Sequence, residues 1–177
     1  MFFKKTTIES VWIITPELKI DKRGFFARTF CLDELKDHDI NFQIVQANSS
    51  LTKKKGTIRG MHVQTKPKEE AKIVQCIKGK IYDVIIDLRE KSPTRYQWIA
   101  EELTEENRKM IYIPKGFAHG FQTLTDNCEL QYFMDEFYSP QYANGIRWSD
   151  PFFNITWPLK DISSSEKDES WPLIKKI

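Results

Sequence analysis

The stretch Thr57-Ile58-Arg59-Gly60-Met61-His62 sets a guanidinium and an imidazole three residues apart in a segment that reads as extended chain. A histidine titrates near neutrality and can take and return a proton, whereas an arginine stays charged and holds anions through a planar fork of donors. Lys72 follows in Glu70-Ala71-Lys72-Ile73-Val74-Gln75, and a second histidine, His119, stands in Pro114-Lys115-Gly116-Phe117-Ala118-His119-Gly120. Gathered in one pocket, these groups would supply a base, an electrophile and phosphate-binding cations. Each alone has a plainer reading, since a strand histidine is often a hydrogen-bonded structural residue and an arginine often a solvated surface charge.

Holding such groups in one place is the task of the elements around them, and these read as short strands. Ile81 to Arg89 is the clearest: Tyr82, Val84, Ile86 and Leu88 fall on one face, and Ile81, Asp83, Ile85 and Asp87 on the other. Acids on an otherwise apolar face fit a barrel interior lined by a polar site, with the edge of a solvated sheet as the alternative. On the first reading Asp83 would orient His119 by accepting its ring proton. Further strands are expected at Val11–Ile14, from Phe25 through Phe30, from Phe42 into a polar cluster ending at Ser50, and at Gln97–Leu103, Met110–Ile113, Phe117–Phe121 and Cys128–Phe133. Cys76 to Lys80 reads as a hairpin turn. Cys31 to His38 reads as a short surface helix with His38 exposed and idle. Many short strands, no long helical period and no internal repeat predict a mostly β chain folded as a double-sheet jelly roll or barrel.

A length of 177 residues suits one domain, 1–177, with a full core. The net charge of +2 gives no global field of the kind that nucleic-acid binding requires, and Lys53-Lys54-Lys55 lacks the interleaved aromatics of a nucleic-acid patch. No apolar run approaches the ~20 residues of a membrane span, and the first residues do not read as a signal peptide, so the cytosol is the expected compartment. Cys31, Cys76 and Cys128 lie far apart and form no Cys-x-x-Cys pattern, which argues for free thiols rather than a disulfide frame or a zinc knuckle. Ser163 to Glu169 is polar enough for a flexible tail, but Trp171-Pro172-Leu173-Ile174 ends it in large apolar groups that call for a packing site.

The run Gly56 to Gln75, the segment Pro114 to Phe121 and Trp148-Ser149-Asp150-Pro151 together resemble the nucleotide-sugar 3,5-epimerases, the dTDP-4-dehydrorhamnose 3,5-epimerase family, over nearly the whole chain. The resemblance implies a double-stranded β-helix of the cupin-like, jelly-roll type with a few short helices. It also implies a C-terminal segment, about 160–177, packed over the site, and a homodimer. The implied substrate is a nucleoside-diphosphate 4-keto sugar destined for bacterial surface polysaccharide, and neither cofactor nor metal is implied. In that family's pattern His62 is the base, Tyr132 the proton donor on the opposite face of the sugar, and Lys72 the cation beside the ketone. Asp168, in Ser165-Glu166-Lys167-Asp168, orients the base. Arg23 and Arg59 match pyrophosphate contacts, with the aromatics after Arg23 expected to hold it in place. Gln46, Asn48, His119 and Lys167 match further substrate contacts, and Tyr138 matches a tyrosine stacked on the nucleobase.

Two positions depart from the pattern: Arg28 and Ala143 stand where the family usually carries glutamate in contact with substrate. A reversed charge at one and a lost acceptor at the other point to altered recognition, for example of a guanine nucleotide or a heptose, with local repacking as the plainer reading. Inversion at carbon 3, at carbon 5 or at both, and ketone migration between carbons 3 and 4, would use the same residues. A metal-dependent cupin enzyme or a non-catalytic carbohydrate module would share the architecture, but His38, His62 and His119 are scattered rather than set in a metal-binding His-x-His.

Overall fold

A computed structural model describes residues 1–174, so the last three residues of the C-terminal segment expected over the site, 175–177, lie outside the described residues. The strands, in chain order, are β1 (Phe2–Lys5), β2 (Trp12–Thr15), β3 (Lys19–Asp21), β4 (Gly24–Phe26), β5 (Gln46–Thr52), β6 (Ile58–Gln64), β7 (Lys72–Lys78), β8 (Lys80–Asp87), β9 (Trp98–Thr104), β10 (Met110–Ile113), β11 (Phe117–Thr123), β12 (Cys128–Met134) and β13 (Ala143–Gly145). Two five-residue helices, α1 (Leu32–Lys36) and α2 (Glu166–Ser170), accompany them. A six-stranded antiparallel sheet of order β1-β2-β10-β7-β12-β5 faces a five-stranded one of order β13-β6-β11-β8-β9, giving the expected jelly roll.

Strand periodicity explains the layers. In β7 the even positions Val74 and Cys76 point between the sheets, where they meet Ile111, Ile113 and Leu130 from the same sheet and Ile81, Ile85, Leu103, Phe117 and Phe121 from the other. Ile73, and Ala71 just before the strand, face outward and are covered by Leu35 of α1, Ile40 and Phe42. β8 is buried on both sides: Val84 and Ile86 face outward against Ile146, Phe153 and Trp157, while Ile81 and Ile85 face the interior. A strand wrapped in this way needs apolar residues at nearly every position, which is why it stands out in the sequence.

Four local expectations are corrected. The apolar start at Phe42 is a loop, with Phe42 driven into the outer core, and the strand is the polar run Gln46–Thr52, one of whose faces lines a cavity. Cys76 to Lys80 is not a hairpin within one sheet, because β7 and β8 belong to different sheets and the turn carries the chain across the barrel corner. The strand after Arg23 stops at Phe26, where its pairing with β3 ends. His38 is partly buried, stacked on Phe3 with ring centroids 3.9 Å apart, so it packs rather than standing free in solvent.

Candidate active site

The barrel interior is not filled along its whole length: towards one end the apolar layer gives way to a cavity of about 380 Å³. That is enough for a sugar-sized ligand. Its two walls come from the two sheets, with Arg59, His62 and His119 on β6 and β11, and Gln46, Asn48, Lys72 and Tyr132 on β5, β7 and β12. Tyr138 borders it from the loop after β12, Ala143 from β13, and Lys167 and Trp171 from the C-terminal segment.

His62 and His119 are directly opposed in the pairing of β6 with β11. Close approach of the two strands depends on Gly60, whose φ of 142° and place 2.5 Å, measured from an ideal Cβ, from the Gly120 Cα leave no room for a side chain. Each histidine has its own carboxylate. His62 Nε2 donates to Asp168 Oδ1 at 2.6 Å, and His119 Nε2 donates to Asp83 Oδ2 at 2.8 Å. These bonds fix the tautomers and leave Nδ1 as the lone-pair nitrogen of each ring.

The two carboxylates live differently. Burial alone would raise the Asp168 carboxyl, but hydrogen bonds from His62, the Gly60 N–H and the Trp171 indole outweigh it and hold the group below its ordinary value. Asp168 therefore stays ionised and stabilises an imidazolium. Asp83 is fully buried, and desolvation raises its carboxyl despite His119 and Lys72; its second oxygen has no hydrogen-bond partner. Asp168 reaches the site because Ser165 caps α2, its hydroxyl accepting from the Asp168 N–H at 3.1 Å. Trp171 then lies against Gly145, where an added Cβ would sit 2.6 Å from the indole ring.

On the facing wall burial raises the Tyr132 phenol, partly offset by Arg59, so it keeps its proton at neutral pH and can donate it. Lys72 is buried and its ammonium lies 2.7 Å from Glu70. Gln46 Nε2 donates to Asn48 Oδ1 at 3.1 Å, while its carbonyl oxygen accepts from the Tyr138 N–H at 3.0 Å, tying the mouth tyrosine to the wall.

The structure thus brings together His62, Tyr132, Lys72, Gln46, Asn48, Arg59, His119, Tyr138 and Lys167 around one cavity, with Asp168 directly behind His62. Arg23 and Arg28 are not brought there. Arg23 lies on the β3–β4 hairpin with its side chain 83 % exposed and paired to Asp21 at 2.6 Å; Arg28 is exposed and pairs with Glu34 at 2.7 Å. The aromatics after Arg23 do not pack around it, since Phe25 and Phe26 are themselves exposed. Sequence reasoning missed Glu70, Gln64, Asn144 and Trp171 as lining residues. Glu70 carried a signal, being two positions from Lys72 in extended chain; Asn144 carried none, because β13 is too short to read. Among the described residues no three His, Cys, Asp or Glu side chains converge as a metal would require.

Comparison with known proteins gives one answer. The family model described as dTDP-4-dehydrorhamnose 3,5-epimerase matches residues 5–176. A dTDP-4-dehydrorhamnose 3,5-epimerase of Methanothermobacter thermautotrophicus is 40 % identical over 177 residues, covering 98 % of this chain and 95 % of its own. The crystal structure of the Bacillus anthracis enzyme of that name, with TDP and PPi bound, superposes with a TM-score of 0.95 at 38 % identity over 98 % of this chain and 99 % of that one. The Legionella pneumophila enzyme in complex with dTDP-4-keto-L-rhamnose superposes with a TM-score of 0.92 at 35 % identity, over 97 % and 92 %.

Proposed function

The chain belongs to the dTDP-4-dehydrorhamnose 3,5-epimerase family and is an isomerase, and we propose that its substrate is a nucleoside-diphosphate 4-keto-6-deoxy sugar, epimerised beside the ketone with His62 as base. The observation that carries this reading is the entry of the His62–Asp168 pair and of Tyr132 into one cavity from facing sheets. His62 Nδ1 takes the proton from carbon 3 or carbon 5, and the electron pair moves into the carbonyl to give an enolate. The Lys72 ammonium stabilises the oxygen that gains charge. The Tyr132 O–H returns a proton to the opposite face of the same carbon, inverting it; solvent then takes the proton from the His62 imidazolium and returns one to the phenolate, which restores both groups. Substrate and product differ only in configuration, so no net oxidation occurs.

Arg59, Gln46, Asn48, His119 and Lys167 surround the remaining space with donors suited to diphosphate and sugar oxygens, and exposed Tyr138 offers a ring for the base to stack on. The working unit is a homodimer: Ile20, Phe25 and Phe26 expose an apolar surface on the β3–β4 hairpin that a second copy would cover. Arg23 and Arg28 lie on or just after that hairpin and would reach a site only from such a copy. Free Cys31, Cys76 and Cys128 agree with a reducing compartment, the cytosol. Ala143 borders the cavity where the family pattern has an acid, which favours a guanine nucleotide or a heptose as the second reading of the substrate.

Wild-type protein incubated in heavy water with dTDP-4-dehydro-6-deoxyglucose should introduce deuterium at carbon 3, carbon 5 or both, followed by NMR. Titration with thymidine, guanosine and uridine diphosphates ranks the nucleotides. Absence of deuterium at both carbons, with this sugar and with its guanosine-linked and heptose counterparts, would refute the assignment.

A further inference from the structure

We infer that Glu70 is a positioning residue for the reaction, holding the Lys72 ammonium on a fixed line into the cavity before the enolate forms. The inference rests on the epimerase reading above. Glu70 and Lys72 are two residues apart in extended chain, so both side chains turn inward, in series with Val74 and Cys76, while Ala71 between them faces the outer core. Their contact is short, 2.7 Å from Nζ to Oε1, and the two side chains are 11 % and 4 % exposed. It completes a pattern in the site: Asp168 holds His62, Asp83 holds His119, and Glu70 holds Lys72.

Stability alone explains this pair poorly. A buried ion pair recovers the desolvation of its charges only when the remaining lone pairs are also satisfied, and apolar residues of the same volume usually serve a core as well. Here the second oxygen of Glu70 is buried with no hydrogen-bond partner. What the pair does supply is order in a flexible four-carbon side chain. A cation already aimed at the place where charge develops costs no reorganisation at the moment of reaction. Ala71 is held independently, its N–H donating to Asp135 Oδ1 at 2.6 Å, so the backbone between the pair is fixed as well.

The test is a double-mutant cycle read by deuterium entry at carbons 3 and 5 of dTDP-4-dehydro-6-deoxyglucose in heavy water. Glu70→Gln, which keeps the shape and removes the charge, should lower the turnover of exchange about tenfold to a hundredfold while KM changes less than about twofold. In a Lys72→Met background the same change should lower turnover no further, because the group it positions is gone. An equal loss in both backgrounds, or no loss in the wild-type background, would overturn the inference. Should Glu70→Gln fail to fold, Glu70→Asp in the same two backgrounds decides by the same criterion. Exchange by wild type, present or absent, separates failure of this inference from failure of the epimerase reading beneath it.

Discussion

Two histidine–carboxylate pairs sit side by side in this barrel, on paired strands and with nearly equal hydrogen-bond lengths, yet they are not equivalent. The His62 side chain is 45 % exposed and the His119 side chain 12 %. Asp168 accepts from the His62 ring, the Gly60 N–H and the Trp171 indole, which together overcome its burial; Asp83 has one donor, and burial wins. The number of donors, rather than depth alone, decides whether a buried carboxyl is held below or above its ordinary value. In the proposed mechanism the more exposed pair, His62 with Asp168, receives a proton from carbon, and the more buried pair holds His119 as a fixed contact. A third carboxylate makes the point on a single strand: Asp87, as buried as Asp83 and on the same face of β8, accepts from Arg89, Ser92 and Thr94, and its carboxyl is pulled down to about 2.

The largest expected effect breaks the comparison at its active half. His62→Ala should slow deuterium entry by roughly 10²–10⁴-fold while nucleoside diphosphate still binds, measured by NMR exchange and by titration; unchanged exchange would remove His62 from the role of base. A smaller effect sharpens the contrast through pH. The lowered Asp168 carboxyl contributes stability that is present above its unfolded value and is lost as pH falls through its folded one. The raised Asp83 carboxyl has the opposite sign: its contribution is present below its unfolded value and is lost as pH rises through its folded one. Urea midpoints taken from acid to neutral pH should therefore show the wild type gaining on Asp168→Asn and losing ground to Asp83→Asn. The smallest effect concerns Asp87, which is far from the chemistry: Asp87→Asn should leave exchange unchanged and cost about 2 kcal/mol at neutral pH, a deficit that disappears as pH falls from about 4 to about 2.

The site was legible where one residue or one period carried the signal. Asp83 could be assigned to His119 because alternation on β8 puts an acid inside an apolar layer, and the structure pairs them at 2.8 Å. The strands of the interior were legible for the same reason. What failed depends on partners distant in sequence. Phe42 is apolar enough for a strand, but its partners are α1 and the outer face of β7, so it packs as a loop residue. The polar run Gln46–Thr52 is a strand because β12 pairs with it along its whole length. β13 exists only as a short ladder on β6, and no pattern of three residues announces it. Trp171 called for a packing site from its size alone, but that this site is the wall beside His62 follows from Gly145 leaving the space. His38 looked idle because its stacking partner Phe3 belongs to the first strand.

The asymmetry between the two pairs is tested most directly by comparing Asp168→Asn with Asp83→Asn in one assay of proton exchange at carbons 3 and 5. Both changes keep the shape and one acceptor oxygen and remove the ionisable group. Asp168→Asn should slow exchange by on the order of 10²-fold or more, because the imidazolium loses its counter-ion, and Asp83→Asn by less than about tenfold. Equal losses, or the larger loss at Asp83, would contradict the account.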